Sequence, residues 1–245
     1  MTETRLLSIG LESMSPIIDD TGKFLAFEAR EKNVPSIFTS IDGAPPKRLC
    51  TGCSLPTSWF DTNRAVFYRE GSPSSIQMTD PQTSEQRSVL KEPGASLSEP
   101  SWSPENEFLL FTRESETGSK QIFAVHLPKA TASVEGKWHP ITAPSESSDR
   151  PRWSGDGKTI YFLSTRDGFS CLWGQSFNAE IGEVFGDPFP VMHFHNRRAS
   201  IDVVGPRSFN LSVAGDSLYF NLGESSSSIW IGTLTGRDNL LTSLF

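Results

Sequence analysis

Short apolar runs alternate with polar, Gly- and Pro-containing stretches along the whole chain, and one order of parts returns five times. Each copy opens on a Pro or polar lead-in and a large apolar residue. A polar turn follows, and nine positions after the first apolar residue comes an aromatic inside a second apolar run. Trp59 is joined in this way to Tyr68, Trp102 to Phe111 and Trp153 to Phe162; Ile18 is joined to Phe27 and Leu211 to Phe220. The turns, such as DDTGK, SPENE and SGDGK, carry Asp-Gly or Thr-Gly pairs in several copies, which supply the positive φ of a tight hairpin. The runs after them, FLAFEA, AVFYRE, FLLFTR, TIYFLS and SLYFNL, are apolar on both faces, as in a strand covered on both sides.

A third strand then begins with Ile or Leu in each copy (SIFTSID, SIQMTD, QIFAVHL, CLWGQSF, SIWIGTL). A fourth follows in most of them (PKRLC, RSVLK, HPITA, PFPVMHF). Four short strands in a unit of roughly 40–50 residues predict a propeller blade. The sequence therefore predicts an all-β fold, a β-propeller of four-stranded antiparallel blades, with five blades in residues 1–245 as one domain and anchors near 18, 59, 102, 153 and 211. A β-sandwich with coincidental spacing is the competing reading, and five repeats of one interval count against it. The segment RLLSIG, with Arg5–Ile9, reads as a fourth strand lacking its first three, so it is expected to complete the last blade and close the ring. Alternatively DNLLTSLF supplies that strand, and the chain is a fragment of a larger ring.

The residues PSWSPENEFLLFTRE and DRPRWSGDGKTIYFLST, with IDG and RL endings in the first copy, resemble the TolB-like propeller repeat over nearly the whole length. The first copy lacks the tryptophan, the second lacks the turn glycine, and the fifth keeps only LSVAGDSLYF and SIWI. Such propellers usually have six blades. The roughly 30 residues between Phe177 and Ser208 are too few to hold another of the four-stranded units described above. The resemblance implies a scaffold: relatives include a bacterial envelope protein that binds partner proteins, sensory or regulatory domains of larger proteins, and gating domains of peptidases. Its shared residues build blades, so it carries a fold and no site.

Charge and composition narrow the functions. The balance of 22 basic against 29 acidic residues, net -7, argues against a nucleic-acid surface. No run approaches the roughly 18 apolar residues that cross a bilayer, and the N-terminus lacks a secretory pattern. The chain is expected to be soluble and monomeric, and extracytoplasmic if it is a domain of a longer envelope protein. Three cysteines do not make a disulfide scaffold. Cys50 and Cys53 are expected to be partly exposed thiols in a loop between strands, and neither a zinc site nor a redox helix accompanies them.

The densest chemistry lies in VMHFHNRRAS. On a strand His193 and His195 share a face, and Arg197 and Arg198 follow in an otherwise acidic protein. These four are the candidate binding residues, for an anion or a partner; the plainer alternative is a solvated strand and loop. Two histidines could also ligate a metal, but further ligands from other blades are not evident, since His126 and His139 sit on ordinary blade strands. No metal, cofactor or catalytic residue is predicted. No G-x-S-x-G elbow occurs, and ESSSSIW reads as a polar hairpin. The RRAS tetrapeptide resembles a phosphorylation site of a kind common by chance. The turn acids Asp19, Asp20, Asp61, Glu105 and Asp156 are expected to shape hairpins and not to gather calcium. The expected function is a non-catalytic binding or scaffold module for a protein or peptide, with Phe169, Trp138 or Phe189 as interface anchors. The alternative is a propeller-fold lyase or hydrolase with its site at the channel mouth.

Overall fold

In the computed structural model every repeat becomes an antiparallel sheet or hairpin. It describes residues 12–19, 22–41, 44–60, 65–103, 105, 107–130, 132, 134–195, 199–201, 211–214 and 217–224. The first blade comprises β1 (Glu12–Ile18), β2 (Phe24–Glu31), β3 (Val34–Ile41) and β4 (Lys47–Thr51). The second comprises β5 (Cys53–Phe60), β6 (Ala65–Glu70), β7 (Ser75–Thr79) and β8 (Gln86–Leu90). The third holds β9 (Ala95–Ser103), β10 (Phe108–Ser115), β11 (Lys120–His126) and β12 (Glu135–Pro140). The fourth holds β13 (Ser148–Trp153), β14 (Thr159–Ser164), β15 (Cys171–Asn178) and β16 (Glu183–Met192). Each is a meander whose strands pair in sequence order. Of the fifth repeat, the described part is the hairpin of β18 (Leu211–Ala214) and β19 (Ser217–Phe220); the short β17 (Ala199–Ser200) pairs with β20 (Gly223–Glu224). Arg5–Ile9, SIWIGTL and DNLLTSLF lie outside the described residues, so the two expectations for ring closure do as well.

The first strands of neighbouring sheets adjoin one another, β1 with β5, β5 with β9, β9 with β13 and β13 with β18, so the sheets radiate from a centre lined by these strands. The tryptophans sit where each inner strand meets the previous blade. Trp59 meets Phe24 edge-on at 5.9 Å, and Trp102 lies 4.7 Å from Phe60. The Trp153 indole N–H donates to the carbonyl of Ser101 at 3.0 Å. The aromatic nine positions on from Trp102 and from Trp153, Phe111 and Phe162, is fully buried. The second, third and fourth blades thus each have a knob that needs the blade before it.

Within four blades the anchor pairs with the residue seven positions on: Ile18 with Leu25, Trp59 with Val66, Trp102 with Leu109, Trp153 with Ile160. In the fifth, Leu211 faces Phe220 directly, and Ala214 pairs with Ser217. The same nine-residue interval therefore spans a tighter hairpin there.

The inner strands of the four complete blades, β1, β5, β9 and β13, also carry a bulge. Ser15, Leu55, Glu99 and Arg150 have φ of 52°, 53°, 55° and 54°. Each directly precedes a proline, Pro16, Pro56, Pro100 or Pro151, and the ladder register slips at that point in each of these blades. A proline has no N–H to give the ladder, and a bulge is where a sheet tolerates that loss. Left-handed φ in a residue with a Cβ costs on the order of 1 kcal/mol, so the surrounding sheet must hold each one in place.

Two of the acidic turn residues, Asp19 and Asp156, shape their hairpins as expected. Asp19 Oδ1 accepts the Phe24 N–H at 2.7 Å. Asp156 Oδ1 accepts the Ser154 hydroxyl at 2.6 Å and the Lys158 N–H at 3.1 Å, and these bonds hold its carboxyl below the ordinary value. Cys50 and Cys53 correct the expectation of exposed loop thiols. Both are buried, on β4 and β5, and they form a disulfide across Gly52, whose φ of +81° makes the reversal.

Tyr68 gives a pH-dependent test of the second blade. Its ring is fully buried and its hydroxyl lies 2.9 Å from the Thr79 hydroxyl. Burial raises the phenol above its ordinary value of 10, the bond to Thr79 opposes this, and Glu70 adds to it. Because the folded value is raised, the unfolded chain gains by ionising first. Stability should be flat below pH 10 and fall above it. In an alkaline titration followed by phenolate absorbance, Tyr68 should ionise only as the fold is lost. Reversible ionisation of all three tyrosines with the circular dichroism intact would contradict this. Tyr68→Phe should cost about 1 kcal/mol by stranding Thr79.

Candidate functional site

Strand direction decides which loops meet. In a meander, β14 ends, β15 begins and β16 ends at the same edge of the blade, so the β14–β15 turn and the chain leaving β16 come together there. The turn contributes Asp167, and the first residue of β15 is Cys171. The exit segment contributes His193 and His195. His193 Nδ1 lies 2.9 Å and His195 Nε2 3.0 Å from the same oxygen, Asp167 Oδ2. One ligand-capable atom from each of Asp167, Cys171, His193 and His195 falls within 4.8 Å of the others.

The group is anchored from below and open above. The Phe194 N–H donates to Cys171 Sγ at 3.3 Å, so the residue between the histidines is tied to a fully buried thiol. The Phe169 N–H donates to Asp167 Oδ1 at 3.3 Å. Burial works against ionisation of Asp167, but the bonds from His195 and the Phe169 N–H outweigh it and hold the carboxyl below its ordinary value. The imidazoles are 42% and 48% exposed. Aromatic rings flank them: Phe169 lies 4.6 Å from His195, and Trp173 is perpendicular to His193 at 5.6 Å. The Arg166 guanidinium stacks on Trp173 at 4.7 Å.

His193 and His195 come together just beyond the end of β16, not on a strand as expected, while Arg197 and Arg198 lie outside the described residues. Asp167 and Cys171 are the partners that sequence reasoning missed. Their signal was topological: a hairpin turn between second and third strands, in RDGFSC, shares an end with the exit of the fourth. Asp167 already occupies the space between the imidazoles that a bound anion would take. His126 and His139 stand apart from this group. They line, with Phe108, Glu135 and Gly182, an open cleft of about 400 Å³ beside the β15–β16 turn.

Two of the three expected anchors are surface residues, Phe169 at 43% and Phe189 at 41% exposure. Trp138 is not: it packs on Phe111 at 4.8 Å and on the core shared by the second and third blades. Phe189 lies over Gly174, its direct partner in the ladder, where a Cβ would meet the ring at 2.5 Å.

No family model matches the sequence, and no curated protein matches it. Solved structures do. A TolB protein from Agrobacterium tumefaciens superimposes with a TM-score of 0.55 at 18% identity, over 71% of this chain and 64% of its own. TolB from Acinetobacter baumannii gives 0.59 at 17% identity, over 89% and 53%. An oligogalacturonate lyase in complex with manganese gives 0.58 at 11% identity, over 89% and 66%. The chain spans 64% and 53% of the lengths of the two TolB chains. With four complete antiparallel blades, the hairpin of a fifth, and these superpositions, the protein has the TolB-like β-propeller fold.

Proposed function

We propose that residues 1–245 act as a single, monomeric, non-catalytic propeller that docks a protein or peptide partner, as a module of a larger bacterial protein. The observation that carries this reading is the exposed Phe169 packed at a tilt against His195 at the loop end of the fourth blade. Its ring is held by a turn whose backbone is already hydrogen-bonded to Asp167, so burying it against a partner costs little ordering. Exposed aromatics on rigid loops are the usual anchors of such interfaces. His193 and His195 border it, and Arg197 and Arg198 are the adjoining candidates in sequence. The Cys50–Cys53 disulfide supports an extracytoplasmic setting, where such bonds persist. Among the described residues, no helix is long and apolar enough to cross a membrane. The lyase or hydrolase alternative has no observation of its own, because likeness at 11% identity carries the fold alone.

The test is a displayed-peptide selection on the folded protein. Enriched peptides should bind Phe169→Ala at least about 10-fold more weakly than the parent, the loss expected for an aromatic anchor. A selection that enriches nothing, or only peptides indifferent to Phe169, would overturn the reading.

A further inference from the structure

We infer that Asp167, Cys171, His193 and His195 form a binding site for a divalent metal ion of the zinc class, and that the ion fastens the exit of β16 to the β14–β15 turn. This inference goes beyond the docking reading and does not rest on it.

Two imidazoles, a carboxylate and a sulfur are brought within 4.8 Å of one another by two segments 22 or more residues apart in sequence. Each is a good metal donor, and the arrangement is awkward otherwise. A single oxygen, Asp167 Oδ2, takes both imidazoles at 2.9 and 3.0 Å. Around a tetrahedral ion with bonds of about 2.0–2.3 Å the donors sit roughly 3.4 Å apart. Opening the two contacts by about half an ångström would admit the ion.

The surroundings match what ligand residues need. The Phe194 N–H already points at Cys171 Sγ, the outer contact that stabilises a metal-bound thiolate, and the Phe169 N–H holds the carboxylate oxygen that faces away from the histidines. The rings of Phe169 and Trp173 limit how the imidazoles turn.

The donor set selects the ion. Two neutral imidazoles, one thiolate and one carboxylate bring a charge of −2, which a divalent ion neutralises. Nitrogen and sulfur ligands favour zinc and its cobalt analogue, whereas magnesium, calcium and manganese favour oxygen. Four protein donors fill a tetrahedral ion and leave no open position, so the site is structural and not hydrolytic. All four donors come from the fourth blade or its exit, so the site belongs to that blade and needs no ring closure.

The experiment uses the full chain purified without chelator, with metal content measured after dialysis, followed by titration of the chelated protein with Co²⁺ alone and then with Zn²⁺. We expect one ion per chain, tetrahedral cobalt bands, and a thiolate-to-cobalt charge-transfer band that Zn²⁺ abolishes. Cys171→Ser should remove the charge-transfer band. Its side chain is buried, so a second variant is needed that the fold tolerates: His195→Ala, half exposed, should weaken Zn²⁺ by more than the roughly 10–100-fold that losing an outer contact costs. Folding of each variant is verified by circular dichroism. Absence of a tetrahedral cobalt spectrum in the parent would overturn the proposal, as would Zn²⁺ affinity unchanged in folded His195→Ala.

Discussion

Trp153→Ala is expected to lower stability by about 3–5 kcal/mol, the cost of emptying a large buried aromatic site. For a chain of this size that corresponds to a fall in Tm of roughly 10 °C. The indole is 7% exposed, lies 5.1 Å from Phe177, and shares a core with Phe108, Leu110 and Ile122 of the third blade. Its N–H also reaches across the seam to the carbonyl of Ser101, which alanine would leave without that donor. Trp59 provides the comparison within the same fold. Its indole is only partly buried against the first blade, and its N–H has no hydrogen-bond partner among the described residues. Trp59→Ala should therefore cost clearly less. Chemical denaturation of both variants decides the matter: a Trp153→Ala loss below about 1.5 kcal/mol, or one smaller than that of Trp59→Ala, would mean that the seam does not hold the blades together.

Arg152→Ala is expected to cost about 2–3 kcal/mol, because three blades share this one side chain. Its Nε donates to the Leu211 carbonyl of the fifth repeat at 2.9 Å, and its Nη2 approaches Glu99 of the third at 3.4 Å. The Arg152 and Glu99 side chains are each 17% exposed, so water replaces little of what is lost. Truncation leaves Glu99 and a backbone carbonyl short of a donor. Lysine should restore only part of the stability, since one ammonium group cannot serve both directions of the planar fork. Two measurements separate this account from general loosening. The Arg152→Ala and Glu99→Ala costs should sum to more than the double variant loses. Amide exchange should rise first in residues 211–220. Full additivity, or uniform exchange, would contradict it.

The blades were legible because each copy places a large apolar residue nine positions before an aromatic, and Trp59, Trp102 and Trp153 mark three of the seams between sheets. The fifth hairpin was legible as a strand pair but not in register: a nine-residue interval fits either the wider turn of the other blades or the tighter one by which Ala214 pairs with Ser217. The candidate site was half legible. His193 and His195 announce themselves by spacing. Asp167 and Cys171 do so only after strand directions are followed, because an aspartate-glycine pair reads equally well as a turn and a buried cysteine as core. The disulfide was misjudged for a similar reason. The spacing C-T-G-C reads equally as two loop thiols, whereas Gly52 reverses the chain between β4 and β5 so sharply that Cys50 and Cys53 meet.

In the four complete blades the proline bulges divide the inner strand into two parts with different obligations. After the proline, the strand is bound to its blade through the anchor residue and its partner seven positions on. Before it, the register has already slipped, by one residue in the first, third and fourth blades and by two in the second. The second blade thus absorbs an additional residue without displacing Trp59. A repeat protein built in this way can change the length and identity of the segment near its axis while its sheets keep their seams, so the central lining and the scaffold are free to diverge at different rates.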